Sequence, residues 1–144
     1  MRKLWIFLAT AALVVGFVGI APAGAKSSNP VSVSGKVNVK GKKDISGKSK
    51  ASIDIEADNN YFEPTFVKVS PGEKVTVELE NEGNTTHTFT SDSLGVDEQL
   101  SAGKSKKVTF TVPSNAKAFQ FHCDIHESLG MQGAVYTKAG ARVK

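Results

Sequence analysis

Residues 74–81 read KVTVELEN, and their alternation decides the fold: Val75, Val77 and Leu79 are apolar, while Thr76, Glu78 and Glu80 between them are polar. In an extended chain successive side chains point to opposite faces, so this period of two makes a strand with one face for a core and one for water. The stretch lies between SPGE at 70–73 and NEGN at 81–84, whose Pro, Gly and Asn are turn formers. Working outward, the same period recurs in SIDIEA (52–57), TFVKVS (65–70), THTFTS (86–91), KKVTFTV (106–112), AFQFHC (118–123) and GAVYTK (133–138). These segments are separated by EP, SAGKS and PSNAK, and no stretch keeps a helical period for three turns. Seven short strands in residues 51–144 predict an all-β fold, a small antiparallel sandwich or barrel with one inner apolar face per strand. A domain of that size buries roughly 60–68% of its unfolded surface, so a bound metal would add usefully to its stability.

With 144 residues the chain has room for one domain and hardly two. Its start, MRKLWIFLATAALVVGFVGIAPAGAKSS, has two basic residues, an apolar run from Leu4 to Ile20, the breaker Pro22, and then Ala23-Gly24-Ala25, a small-residue peptidase site. Residues 1–25 are therefore expected to be a signal peptide cut after Ala25. The seventeen-residue apolar run also reaches the lower limit of a membrane span, which leaves an uncleaved anchor as the alternative. Either way the rest is expected to be exported, to a periplasmic or extracellular location.

The remainder divides by charge. Residues 26–50 carry seven lysines against Asp44, a net +6, whereas residues 51–144 carry nine basic and thirteen acidic residues, a net −4. The first segment is rich in Ser, Gly and Lys with isolated valines, and it is expected to be a disordered linker. The alternative is an added edge strand, since Val31, Val33, Val37 and Val39 alternate with polar residues. A flexible positive segment would attract an anionic envelope surface. The chain lacks the aromatic interleaving and motifs of a nucleic-acid binder, and a monomer is expected.

The chemistry gathers at FHCDIHESLGM, Phe121 to Met131, which holds the only cysteine, two of the three histidines and one of the two methionines. In AFQFHC, Phe119, Phe121 and Cys123 share one strand face, which points into the core, while His122 points away. Beyond Cys123 the chain turns, and the spacing Cys-x2-His-x4-Met lets one loop aim a thiolate, an imidazole and a thioether at one point. If a fourth ligand exists it must come from elsewhere, and with His122 turned away the remaining histidine is His87. Two imidazoles, a thiolate and a thioether favour copper, as a trigonal His2Cys site with a weak axial Met. Metal binding would also protect a lone cysteine in an oxidising compartment.

The segments FEPTFVKVSPGEKVTVELENEGNTTHTFTSD (62–92) and FQFHCDIHESLGMQGAV (119–135) resemble the cupredoxins, in particular the small plastocyanin-like domains. The resemblance covers most of residues 51–138 and implies a Greek-key β-sandwich, cupredoxin-like, over residues 51–144. It implies one type 1 copper ion with His87, Cys123, His126 and Met131 as metal ligands, and one-electron transfer rather than enzymatic activity. Thr88 stands where relatives often carry Asn, and His122 where they often carry Tyr; the Thr88 hydroxyl is expected to donate to backbone near Asp124 instead. A redox protein is the expected partner, docking transiently near His126. Two enzyme readings compete: a zinc site with Glu127 as general base, and a cysteine nucleophile paired with His126. Met131 at ligand spacing weighs against the first, and the lack of a third orienting group against the second. The closest rival is an extracytoplasmic copper carrier or buffer that hands over the ion instead of the electron.

Overall fold

The computed structural model describes residues 30–114 and 117–138. The proposed signal peptide, its cleavage site and the first residues of the Lys-rich segment lie outside them. Ten strands form: β1 (Lys42–Asp44), β2 (Ala51–Asp58), β3 (Tyr61–Glu63), β4 (Phe66–Lys68), β5 (Lys74–Asn81), β6 (His87–Ser91), β7 (Val96–Leu100), β8 (Ser105–Thr111), β9 (Ala118–His122) and β10 (Gln132–Tyr136). They build a four-stranded sheet in the order β3-β2-β5-β8 and a six-stranded sheet in the order β1-β4-β10-β9-β6-β7. This is the expected all-β Greek-key sandwich, with connections such as β5 to β6 and β8 to β9 crossing between the sheets. Among the described residues no helix is long and apolar enough to cross a membrane.

All seven periodic segments are strands. The sheets are mixed rather than antiparallel, because crossing connections bring β2 beside β5, and β4 beside β10 and β1, in the same direction. Between the sheets, Ile53 and Ile55 of β2 and Val75, Val77 and Leu79 of β5 face Phe89, Phe119 and Phe121. Phe62, Phe89 and Phe121 form an aromatic knot: Phe89 stacks on Phe121 at 4.7 Å between centroids, and Phe62 meets both edge-on at 5.7 and 5.3 Å. Phe89 lies two residues after His87 and Phe121 two before Cys123, so burying these rings turns both of those side chains to the core side.

The expectation of a disordered linker at 26–50 is corrected for its described part. Val31 is buried with Phe66, Ala118, Ala134 and Tyr136 on the outer face of the six-stranded sheet, and Val33 and Val37 pack against them. Farther on, Lys42–Asp44 pairs in parallel with β4, and Ile45 enters the main core. The added strand is thus three residues later than the valine alternation suggested. Val31, Val33 and Val37 cover a sheet face instead of lining an edge, while Val39 stays exposed. Isolated apolar residues suffice here because the sheet surface supplies the rest of the buried area.

Candidate metal centre

Strand β6 presents His87 from its first residue, and β9 delivers Cys123 just past its end. From there the chain turns through a single 3-10 turn, Glu127–Leu129, and returns as β10. Hydrogen bonds close the loop on itself. The Cys123 N–H donates to the Met131 carbonyl (3.0 Å), while the N–H groups of Leu129 (3.0 Å) and Met131 (3.2 Å) both donate to the His126 carbonyl. Gly130, at φ +100°, makes the turn back that a side chain would resist.

The donor atoms of His87, Cys123 and His126 all lie within 4.8 Å of one another, the only such convergence among the described residues. Individually, His87 Nδ1 stands 3.1 Å from His126 Nδ1 and 3.9 Å from Cys123 Sγ, and His126 Nδ1 stands 3.4 Å from Cys123 Sγ. Donors held trigonally about 2.0 Å (nitrogen) or 2.3 Å (sulfur) from one centre would be roughly 3.5–3.8 Å apart, so the spacing fits a shared metal ion. Met131, at the loop's far end, is fully buried in the same core as Cys123. His87 and Cys123 are also buried, and His126 alone of the four is partly exposed.

Burial holds the His87 imidazole below its usual pKa, and the neighbouring His126 ring adds to the effect, so a free nitrogen lone pair is favoured. Its Nε2 is buried with no hydrogen-bond partner among the described residues. The ring's other nitrogen, Nδ1, is the one that faces the cluster. A set of two imidazoles, one thiolate and one thioether is a soft donor set that suits copper better than zinc.

A polar lattice ties the two ligand segments together. The Thr88 N–H donates to Cys123 Sγ at 3.3 Å. The Thr88 hydroxyl accepts from the Asp124 N–H (2.8 Å) and donates to the Asp124 carboxylate (3.1 Å). The expected Thr88 contact exists, with the backbone bond in the opposite sense. Thr90, two residues on and on the same face, also donates to Asp124 (2.8 Å), and with Thr88 and His122 it holds that carboxyl below its ordinary pKa. His122 stays out of the cluster, as its strand position required. It is half-buried rather than exposed, with Nε2 3.0 Å from Asp124. Glu127 is exposed and contacts Gln120, away from the donor atoms.

Sequence reading missed Thr90 and Asn38. Thr90 had a signal in the i, i+2 relation to Thr88. Asn38 had none, since its contacts lie about ninety residues away, at Leu129 and Gly130.

The sequence model of the cupredoxin-like domain family matches residues 10–136. None of the curated proteins is a significant sequence match. Among solved structures, the chain is similar to a dithionite-reduced auracyanin from the photosynthetic bacterium Roseiflexus castenholzii, with 18% identity and TM-score 0.54 over 62% of this chain and 98% of that one. It is also similar to a copper nitrite reductase from Nitrosomonas europaea, at 22% identity and TM-score 0.53, covering 62% of this chain and 42% of the other. A third likeness is to the metal-binding domain of a Cu(I)-exporting P-type ATPase from Streptococcus pneumoniae, solved with Cu(I), at 14% identity and TM-score 0.55, covering 69% and 98%. At these identities the likenesses speak for the fold.

Proposed function

The chain belongs to the cupredoxin-like domain family, and from that membership we propose that it is an exported, monomeric carrier of single electrons holding one type 1 copper ion on His87, Cys123, His126 and Met131. The observation that carries this reading is the convergence of three donor atoms within 4.8 Å, with the buried Met131 closing the same loop. Copper bound there would supply a one-electron couple between its two oxidation states. The chain's part is to hold the donors still. His87 and Cys123 are buried, Thr88 joins their segments from both its N–H and its hydroxyl, and the loop is internally bonded, so little would move when the charge changes. That rigidity favours electron transfer over ion delivery, where one state should be released readily. The zinc reading loses its general base, since Glu127 lies on the outer surface.

Two partners belong to the proposal. Ile125 and Leu129 are 54% and 48% exposed and flank the partly exposed His126, an apolar patch suited to transient docking of a redox protein. Lys36, Lys42, Lys43, Lys48 and Lys50 are exposed on the N-terminal segment and would draw the protein to an anionic surface. Because that segment packs on the sheet, charge-neutralising Lys→Gln substitutions, not deletion, test it; retention on anionic lipid vesicles at low salt should fall.

The decisive experiment adds Cu(II) to the purified protein, records visible and paramagnetic resonance spectra, and then titrates with reductant. An intense blue thiolate-to-copper band, abolished in Cys123→Ser, is expected. A colourless adduct overturns the assignment, and prompt loss of the ion on reduction would favour the copper-carrier reading.

A further inference from the structure

The residues on either side of Met131 are both bonded to the N-terminal segment. On one side, the Asn38 N–H donates to the Gly130 carbonyl at 2.9 Å. The two hydrogens of the Asn38 side-chain amide go to the carbonyls of Leu129 (2.9 Å) and Asn60 (2.8 Å). On the other side, the buried Gln132 amide donates to the carbonyls of Ser34 (2.9 Å) and Lys36 (2.5 Å), while its oxygen accepts from Gln120. Asn60 belongs to the turn between β2 and β3, so Asn38 links that turn, in the four-stranded sheet, to the ligand loop. The fit is close. A Cβ at Gly130 would stand 2.9 Å from the Asn38 side chain, so this glycine is required by the neighbour as well as by its positive φ.

We propose that residues 34–40 are a brace for the ligand loop, and that Asn38 is a positioning residue which sets the Met131 thioether, and through it the reduction potential of the site. The inference rests on the copper reading above for its second half only. Both acceptors of the Asn38 side chain are carbonyls, so the side chain must donate to them; the isosteric Asn38→Asp would set a carboxylate against two carbonyl oxygens. Asn38→Ala removes both side-chain ties and leaves the backbone bond to Gly130.

In the metal-free protein, Asn38→Ala should speed hydrogen exchange at the Gly130 and Met131 amides by at least about fivefold, while amides of β5 are unchanged. With copper, the variant should remain blue but shift its midpoint potential in the direction of Met131→Leu. In a Met131→Leu background the shift should vanish, because the group being positioned is gone. Should the alanine variant not fold, Asn38→Ser, which keeps one donor, takes its place in all three measurements. Unchanged exchange at both amides overturns the brace, whatever colour the protein takes with copper. Faster exchange with an unmoved potential, or an equal shift in both backgrounds, overturns action through Met131. A wild-type protein that never turns blue would instead defeat the copper reading, with the exchange measurement still deciding the brace.

Discussion

The two sheets of the sandwich differ in how their strands meet water. Along β2 and β5, and in the second half of β8, buried residues of the four-stranded sheet alternate with exposed or half-buried ones, and the outer face meets solvent. In the six-stranded sheet, β10 is buried at all five positions, and β6 at four of five. At β10 the difference comes from what lies outside. Val31, Val33 and Val37 cover the outer face around Phe66, Ala134 and Tyr136. The more enclosed sheet carries His87 on β6 and leads into the ligand loop from β9 and out of it through β10. Enclosure on both sides is what lets neighbouring strands and the N-terminal segment hold the Cys123–Met131 loop.

Several substitutions would break or sharpen this contrast. The largest effect is expected at Gly133 in β10, where an added Cβ would lie 2.2 Å from the Thr65 carbonyl oxygen and 2.6 Å from the Phe121 ring. Neither neighbour is free to yield, so Gly133→Ala should cost more than about 4 kcal/mol or prevent folding. Thr109→Ala, on the solvated face of β8, should change stability by about 0.5 kcal/mol or less. Similar urea midpoints for the two variants would erase the distinction between the sheets.

Next in size is the cover itself. Val31 is 2% exposed, and Val31→Ala should lower stability by about 2 kcal/mol in the same assay. A stability equal to wild type would return the segment to the status of a loose linker. Leu129→Lys touches neither sheet. Because the side chain is half exposed, the blue spectrum and stability should hold, while self-exchange between oxidised and reduced copies slows several-fold, more at low salt. Unchanged rates would send the electron route to another face, with the surface bearing His122 next to test.

The smallest effect is at the edge, where the Lys68–Asp44 ion pair at 2.8 Å adds to the backbone pairing of β1 with β4. The bonds from Lys68 and Ser46 lower the Asp44 carboxyl from 3.8 to about 2. A depressed carboxyl stabilises the fold above its unfolded value, and that contribution is lost as pH falls from about 4 through 2. Both groups are solvent-exposed, so the effect is slight. Asp44→Asn should flatten the acid limb of the stability curve a little between pH 4 and 2, and an identical limb would assign the edge to backbone pairing alone.

Much of the molecule was legible because strand patterning is local. Val75, Val77 and Leu79 needed only a solvated opposite face to declare their strand, and Cys123, His126 and Met131 only the reach of one loop. His87 followed by elimination from a short supply of histidines. β7 was not legible, since VDEQL buries Val96 and Leu100 but sets three polar residues between them, leaving no period to count. β1 was hidden for a different reason: its residues Lys42, Lys43 and Asp44 are all exposed, and only backbone pairing with β4 makes them a strand. By itself, then, the sequence determined the all-β class and the spacing and chemistry of the three donors on the Cys123–Met131 loop, because both are set within one short stretch of chain. Only tertiary structure decided that the described part of the lysine-rich segment belongs to the domain. The apolar surface that holds Val31 comes from Phe66, Ala118, Ala134 and Tyr136, and the carbonyls that hold Asn38 lie at Leu129 and Asn60, distances along the chain at which no local pattern carries information.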